Sequence, residues 1–222
     1  MVDGTLPCAA ARWAVRYNEV AGQALQARPQ RSGSRKPPSR SGGAGRHAVT
    51  VSAVPSDTPT LVTLCTGNAA RSVMAGAMLE GAPLPVVTAG THVLEGQPMS
   101  RRTRTALESV GLNADGHRSH QLTAADVEGS VLILAMAAEH VAYIRRRHPE
   151  AAGRTASLKR LVRDLPAGPG PLADRLAALD LAHVELGAWE DVEDPAGGPD
   201  EIYVACATEL FGLCRELLVL LE

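Results

Sequence analysis

The chain has few aromatic residues, few cysteines and no long apolar run. Phe, Trp and Tyr make up 3% of its 222 residues, so the core must be built mainly from Ala, Leu and Val. No uncharged apolar run reaches the length of about 18 residues that predicts a membrane-spanning helix. The four cysteines show neither the paired spacing of zinc ligands nor the density of a disulfide scaffold. We therefore expect no metal, no membrane and a reducing compartment, most simply the cytoplasm.

The first 58 residues differ in composition from the rest. They carry eight Lys or Arg against three Asp or Glu, and residues 28–46 are almost wholly Arg, Ser, Gly, Pro and Lys. Because such a segment cannot bury enough apolar surface to offset its chain entropy, we predict that residues 1–58 form a disordered basic extension. A docking arm for acidic partners, an organellar transit peptide and a translated stretch upstream of the true start are alternatives. Its arginines lack interleaved aromatics, so we predict no nucleic-acid partner.

From residue 59 onward, strand-like and helix-like segments alternate. The predicted strands are residues 61–64, 85–89, 131–136 and 155–158, and the predicted helices are residues 70–80, 100–110, 137–148, 172–186 and 200–221. This alternation is typical of an α/β fold with a doubly wound, four-stranded parallel sheet and helices on both faces. Ligands of such folds bind beyond the carboxyl ends of the strands, where Cys65 follows the first strand.

A loop of eight residues joins the first predicted strand to the first helix. In order it comprises Cys65, Thr66, Gly67, Asn68, Ala69, Ala70, Arg71 and Ser72. A tight loop that enters a helix points several backbone N–H groups at one anion. The planar guanidinium of Arg71 matches two phosphate oxygens at once. The pattern therefore predicts an oxyanion site, in which the remaining loop residues support the phosphate.

The same loop favours a reactive cysteine. A helix N-terminus beside an arginine stabilises a thiolate, which is the nucleophilic form of a cysteine. We predict that Cys65 is the nucleophile, that Ser72 donates to its sulfur, that Gly67 lets the loop curl and that Asn68 braces the loop by bonding to neighbouring backbone groups. A buried structural cysteine followed by an incidental arginine is the alternative. The scattered histidines show no ligand-like pair and are interpreted as structural or surface residues.

Attack of a thiolate on a phosphate ester requires an acid that protonates the leaving oxygen. Asp194 precedes Pro195, which restricts the aspartate to extended conformations and stiffens its loop. The residues alone favour Asp194 only modestly over the neighbouring acids, which we expect to be mostly solvated surface: Glu190, Asp191, Glu193 and Asp200.

Residues 61–80, LVTLCTGNAARSVMAGAMLE, resemble the phosphate-binding loop and first helix of low-molecular-weight protein tyrosine phosphatases, in particular the bacterial type. Similar segments follow in order at residues 87–92, 117–126, 131–140, 154–164 and 192–195, and the last resembles the Asp-Pro loop that carries the family's general acid. The resemblance implies that residues 59–222 form a phosphatase domain that needs no metal or cofactor. It implies hydrolysis of a phosphorylated protein, foremost at phosphotyrosine, or of a small phosphate ester. The route would be a phosphocysteine on Cys65, with Asp194 as the acid.

The chain departs from that family at informative positions. Ala70 stands where many members carry a second cysteine that protects the nucleophile, and Ala196 replaces an aromatic that walls the phosphotyrosine ring. The sequence from Asp194 to Gly198 also resembles the tail of protein arginine phosphatases, although Ala69 stands where their loop has Thr. An arsenate reductase that uses an external small thiol and a non-catalytic oxyanion-binding module are further alternatives.

Overall fold

The computed structural model describes residues 59–222, and the predicted basic extension, residues 1–58, lies outside the described residues. The strands are β1 (Thr60–Cys65), β2 (Val86–Gly90), β3 (Ser130–Ala135) and β4 (Thr155–Ser157). The α-helices are α1 (Arg71–Met78), α2 (Arg101–Ser109), α3 (Ala124–Gly129), α4 (Ala138–Arg147), α5 (Leu158–Asp164), α6 (Leu172–Ala177) and α7 (Asp200–Leu221). Short 3-10 helices cover Pro149–Arg154 and Ala188–Glu190. Within this part of the chain, no helix is both long and apolar enough to cross a membrane.

The four strands form one parallel sheet in the order β2-β1-β3-β4. All six residues of β1 are buried, as expected for a central strand with helices on both sides. The chain leaves β1 towards β2 on one side and later returns to place β3 on the other. The carboxyl end of β1, where Cys65 lies, is therefore the switch point at which this fold class binds ligands. The predicted α/β fold is confirmed.

The core has two parts, one on each face of the sheet. Alternate strand residues divide between them, since successive side chains of a strand point to opposite faces. On β1, Leu61 belongs to the part covered by α1, α2 and α7, whereas Val62 belongs to the part covered by α4. The first part holds Met74 and Leu210, both fully buried. This packing fixes α1, and therefore the loop before it, against the end of the sheet.

The helix predicted over residues 172–186 is wrong beyond Ala177. The chain continues in turns, and Asp180 has a φ of 46°, which ends the helical path. Arg145 Nη2 instead donates to the carbonyl oxygens of Leu181 and Val184, at 2.6 and 2.8 Å. Side-chain donors thus satisfy carbonyls that a longer helix would have paired internally.

Helices α3 and α5 were missed because six or seven residues are too few to show a periodic pattern. Each begins at a capping side chain: Thr123 accepts from the N–H of Asp126, and Ser157 accepts from the N–H of Arg160. Such caps satisfy N–H groups that the first turn of a helix leaves without a partner.

Candidate active site

The side chain of Cys65 lies at the end of β1, buried beside Ser72. Its Sγ is 3.0 Å from Ser72 Oγ. Asn68 Nδ2 donates to the same Oγ at 2.9 Å, so the hydroxyl proton of Ser72 is free to point at the sulfur. Thr63 Oγ1 donates to the carbonyl of Ser72 at 2.9 Å and fixes that residue on the helix. This arrangement aims a hydroxyl donor at the Cys65 sulfur.

Asn68 is the residue that gives the loop its shape. It is fully buried and adopts a left-handed φ of 47°, a conformation that non-glycine residues rarely take. The backbone N–H of His120 donates to its Oδ1 at 2.8 Å, and Nε2 of His117 lies 2.9 Å from its carbonyl oxygen. Asn68 thus bonds to neighbouring backbone, and the left-handed φ of the loop lies at Asn68 rather than at Gly67, which was expected to let the loop curl.

Neighbouring elements hold the rest of the loop. Thr103 Oγ1, on α2, donates to the carbonyl of Ala69 at 2.9 Å. The backbone after β2 donates from Thr91 and His92 to the carbonyls of Cys65 and Thr66, both at 2.9 Å. These bonds turn the loop carbonyls away from its centre, which leaves the N–H groups of the loop and of the first turn of α1 for an anion.

Gly90, at the end of β2, allows the backbones to come this close. A Cβ at this position would lie 2.6 Å from the Thr66 carbonyl oxygen and 2.9 Å from the Asn68 nitrogen. Only glycine fits this contact without moving the phosphate loop.

His140, on α4, contacts the phosphate loop from the side opposite α1. Its ring is almost fully buried, and Nε2 lies 3.0 Å from Thr66 Oγ1, while Nδ1 has no partner among the described residues. Burial and the nearby charge of Arg71 lower the pKa of His140 to about 3. The ring is therefore neutral at physiological pH and adds no second positive charge beside Arg71.

Arg71 and Asp194 meet across the site. Arg71 is 5% exposed, and its Nη2 donates to Asp194 Oδ2 at 2.6 Å, while Nη1 donates to the Val192 carbonyl at 3.3 Å. The Asp194 side chain is 47% exposed and its second oxygen accepts the N–H of Ala196. Residues 123 positions apart are thus brought into one ion pair.

A cleft of about 520 Å³ opens at this ion pair. Among residues 59–222, its lining contains one cationic side chain, that of Arg71, and no aromatic ring; the lining residues are Arg71, Ala137, Glu139, Asp191, Val192, Glu193 and Asp194. Arg71 lines this cleft, whereas Cys65, which is 3% exposed, is not among its lining residues. The opening of the cleft, called its mouth below, thus carries four carboxylates and one guanidinium, that of Arg71.

Several residues that support the site were not predicted. His117 and His120 hold Asn68 and Thr103 holds Ala69, although the histidines had been interpreted only as structural or surface residues. The acids near Asp194 were expected to be mostly solvated surface; Asp191 and Glu193 are exposed, whereas Glu190 is fully buried. Two sequence features could have indicated these supports: the short spacing between His117 and His120, and a polar residue, Thr103, on the buried face of α2. Among residues 59–222, no group of three or more His, Cys, Asp or Glu is placed to hold a metal ion.

Comparison with known proteins gives consistent matches. The family model for low molecular weight phosphotyrosine protein phosphatase matches residues 60–169, which contain the phosphate loop but not Asp194. A protein-arginine-phosphatase of Geobacillus stearothermophilus is 34% identical over 157 residues, which cover 69% of this chain and 90% of that protein.

Two solved structures share the fold. The YwlE arginine phosphatase from Geobacillus stearothermophilus has 32% identity and a TM-score of 0.58, covering 72% of this chain and 90% of that one. The low molecular weight protein tyrosine phosphatase from T. tengcongensis has 29% identity and a TM-score of 0.57, covering 72% and 97%. By sequence and by fold, the chain belongs to the low-molecular-weight protein tyrosine phosphatase family of cysteine-dependent hydrolases.

Proposed function

We propose that this phosphatase acts on phosphorylated side chains of proteins, with Cys65 as nucleophile, Arg71 as phosphate clamp and Asp194 as general acid. The observation that carries the proposal is the convergence at the carboxyl end of β1. There the Cys65 sulfur has a hydroxyl donor at 3.0 Å, and Arg71 of the same loop contacts Asp194 at 2.6 Å. A nucleophile, an anion clamp and a carboxyl group are the three parts that cysteine-based phosphoryl transfer needs.

In the first step the Cys65 thiolate attacks phosphorus and the bond from phosphorus to the leaving group breaks. The leaving atom takes a proton from Asp194, and Arg71 and the loop N–H groups hold the remaining phosphoryl oxygens. In the second step Asp194 accepts a proton from water, whose oxygen attacks phosphorus. The sulfur–phosphorus bond then breaks, inorganic phosphate leaves, and the Ser72 hydroxyl stabilises the thiolate that is formed again.

Phosphotyrosine and phosphoarginine are the two substrate candidates, and the mouth of the cleft favours phosphoarginine. Glu139, Asp191 and Glu193 surround the entrance beside Asp194, and no aromatic ring lines it. Tyr203, the nearest aromatic after the acid loop, is buried under Arg102 and offers no wall. Carboxylates attract the cationic guanidinium of a phosphorylated arginine, whereas a phenyl ring gains little from them. The similar Geobacillus protein bears the name of an arginine phosphatase.

Arsenate reduction would require an external thiol. Cys206 and Cys214 are both buried, and burial raises the pKa of each to about 12. Neither thiol is therefore a ready attacking group for an arsenylated Cys65. The need for free thiols in either reaction supports a reducing compartment, and we propose the cytoplasm.

The test is hydrolysis of p-nitrophenyl phosphate by the full chain, followed by phosphotyrosine and phosphoarginine peptides and by arsenate with added thiols. We expect turnover of the ester, none with Cys65→Ser, normal turnover with the control Cys214→Ala, and a higher kcat/KM for the phosphoarginine peptide. Faster reaction of the phosphotyrosine peptide would reverse the substrate assignment. Arsenate reduction without ester hydrolysis would replace phosphatase chemistry by reductase chemistry, and inertness to all would leave an anion-binding loop.

A further inference from the structure

The segment that carries Asp194 is fastened by a buried ion pair some distance from the reacting atoms. We infer that Glu190 and Arg160 act as positioning residues, which anchor the acid loop (residues 187–199) and so set where Asp194 stands. The inference rests on the proposed acid role of Asp194. It assigns a part in the reaction to two residues that touch neither the phosphate loop nor the cleft.

Glu190 is fully buried and both its carboxylate oxygens are engaged. Arg160 donates to it twice, from Nε to Oε2 at 3.0 Å and from Nη2 to Oε1 at 2.6 Å. Ser157 Oγ donates to Oε2 at 2.8 Å, and the N–H of Gly187 donates to Oε1 at 2.9 Å. The carboxylate therefore joins the start of the acid loop to the end of β4 and the first turn of α5, both rigid parts of the fold.

The electrostatics show that this pair is ionised. Burial alone would raise the pKa of Glu190, but the bonds from Arg160, Gly187 and Ser157 outweigh it and lower the pKa. Arg160 is itself 7% exposed and uses Nη2 also to bind the Glu185 carbonyl at 2.7 Å. Two charges held in a bidentate geometry permit one arrangement of the loop, whereas an apolar pair of similar size would permit several.

Hydrogen bonds to the rest of the fold also hold the few residues between this ion pair and Asp194. The Ala138 N–H donates to Asp191 Oδ1 at 2.7 Å, and Lys159 Nζ donates to the Asp191 carbonyl at 2.6 Å. The Val192 N–H donates to the Met136 carbonyl at 2.9 Å. Asp194 stands two residues further on, so little freedom remains between the anchored segment and its carboxyl group.

Trp189 covers the anchor on the solvent side. The guanidinium of Arg163 lies 3.7 Å from the centroid of its ring and that of Arg160 lies 5.1 Å from it, which are cation–π distances. The ring therefore limits water access to Arg160, so that the ion pair below it is not screened.

A buried ion pair is a poor means of adding stability, because desolvation offsets the attraction of the two charges. Its distinct contribution is geometry, and the geometry here belongs to the loop that delivers the acid. Displacement of a catalytic group by about 1 Å costs up to a hundredfold in rate, so a small shift at Asp194 is measurable. A loss of this kind affects protonation of the leaving group and leaves the loop that binds phosphate intact.

The experiment compares Glu190→Gln and Arg160→Lys with the control Arg145→Lys, which alters another partly buried arginine that binds carbonyls of residues 181 and 184. Each full-length variant is assayed with p-nitrophenyl phosphate and with phenyl phosphate, whose leaving phenol is a weaker acid and needs the proton more. We expect kcat/KM for phenyl phosphate to fall roughly tenfold or more in the two anchor variants, and much less for p-nitrophenyl phosphate. The inhibition constant of inorganic phosphate should not rise in the anchor variants, because the loop that binds phosphate is unchanged, and all values for the control should stay near wild type.

Asp194→Asn separates the possible failures. If it shows the same dependence on leaving group and Glu190→Gln added to it has no further effect, the anchor acts through Asp194. If Asp194→Asn shows the dependence but neither anchor variant does, or if their losses are equal for both substrates, the anchor proposal is wrong and the proposed function stands. If Asp194→Asn shows no such dependence, the acid role is wrong and the anchor has nothing to position. If Glu190→Gln does not fold, the test rests on Arg160→Lys alone. This variant keeps the positive charge but lacks the planar guanidinium that donates two hydrogen bonds to Glu190.

Discussion

The ion pair between Arg71 and Asp194 leads to a prediction about phosphate affinity. Phosphate needs the same guanidinium edge that Asp194 Oδ2 contacts at 2.6 Å, so the two anions compete for Arg71. Asp194→Asn removes the competing charge while it keeps the size of the side chain. We therefore expect this variant to turn over slowly but to bind inorganic phosphate more tightly than the wild type does.

The magnitude follows from exposure. Asp194 is 47% exposed, so the ion pair is partly screened by water and contributes about 0.5–1 kcal/mol. Once phosphate is bound, an ionised Asp194 about 4–5 Å away adds roughly 1 kcal/mol of repulsion. The sum of about 1.5–2 kcal/mol corresponds to roughly a 10- to 30-fold lower dissociation constant for phosphate in Asp194→Asn.

Isothermal titration of phosphate into each protein measures this difference directly. The matched control is Glu193→Gln, which neutralises a carboxylate in the same cleft that makes no contact with Arg71. We expect the control to tighten binding less than Asp194→Asn does. Unchanged or weaker phosphate binding by Asp194→Asn would mean that the ion pair does not compete with phosphate. If Glu193→Gln increased the affinity for phosphate as much as Asp194→Asn does, the effect would come from the net charge of the cleft mouth.

Other predictions concern thiols and pH. Iodoacetate should label Cys65 first, and phosphate should protect it. Burial raises the pKa of Cys206 and of Cys214 to about 12, so these two thiols should react only after unfolding. Peptide mapping of the labelled protein checks this order, and early labelling of Cys214 would contradict it. Partial burial disfavours charged His120, but flanking carboxylates outweigh burial and raise its pKa. Its stabilisation is therefore present below pH ~6.5 and fades as pH rises through the raised value, so urea unfolding should show a larger deficit of His120→Gln at about pH 6 than at about pH 9. Glu190, with its lowered pKa, should behave oppositely: the unfolding free energy should depend less on pH in Glu190→Gln than in wild type below about pH 4.5.

The strands and the phosphate loop could be predicted because their signals are local. β3 is a nearly continuous apolar run, β1 is short and mostly apolar, and the cysteine, arginine and serine that form the site lie within eight residues of one another. The strand-to-helix junction at Cys65 follows from the same short segment. A site built from one loop can be recognised without knowledge of what packs around it.

The supports of the site depend on contacts between distant segments. Glu190 looks like one acid among several in the sequence, and only Arg160, 30 residues earlier, makes it a buried anchor. The loop conformation of Asn68 depends on the N–H of His120, 52 residues away. The helix predicted over residues 172–186 stops early, Asp180 has a left-handed φ and Arg145 binds the carbonyls of Leu181 and Val184, a contact that the spacing of the local apolar residues does not reveal.

The measurement that tests the central claim most directly is the trapping of a phosphocysteine. The wild-type chain, or Asp194→Asn to slow breakdown of the intermediate, is mixed with p-nitrophenyl phosphate, quenched within milliseconds and digested for mass spectrometry at a pH that preserves the thiophosphate ester. We expect one added phosphoryl group on the peptide that contains Cys65, and none on that peptide from Cys65→Ala or on the peptides with Cys206 and Cys214. Active enzyme with no phosphorylated Cys65 peptide, or a Cys65→Ser variant that still turns over the ester, would contradict the account.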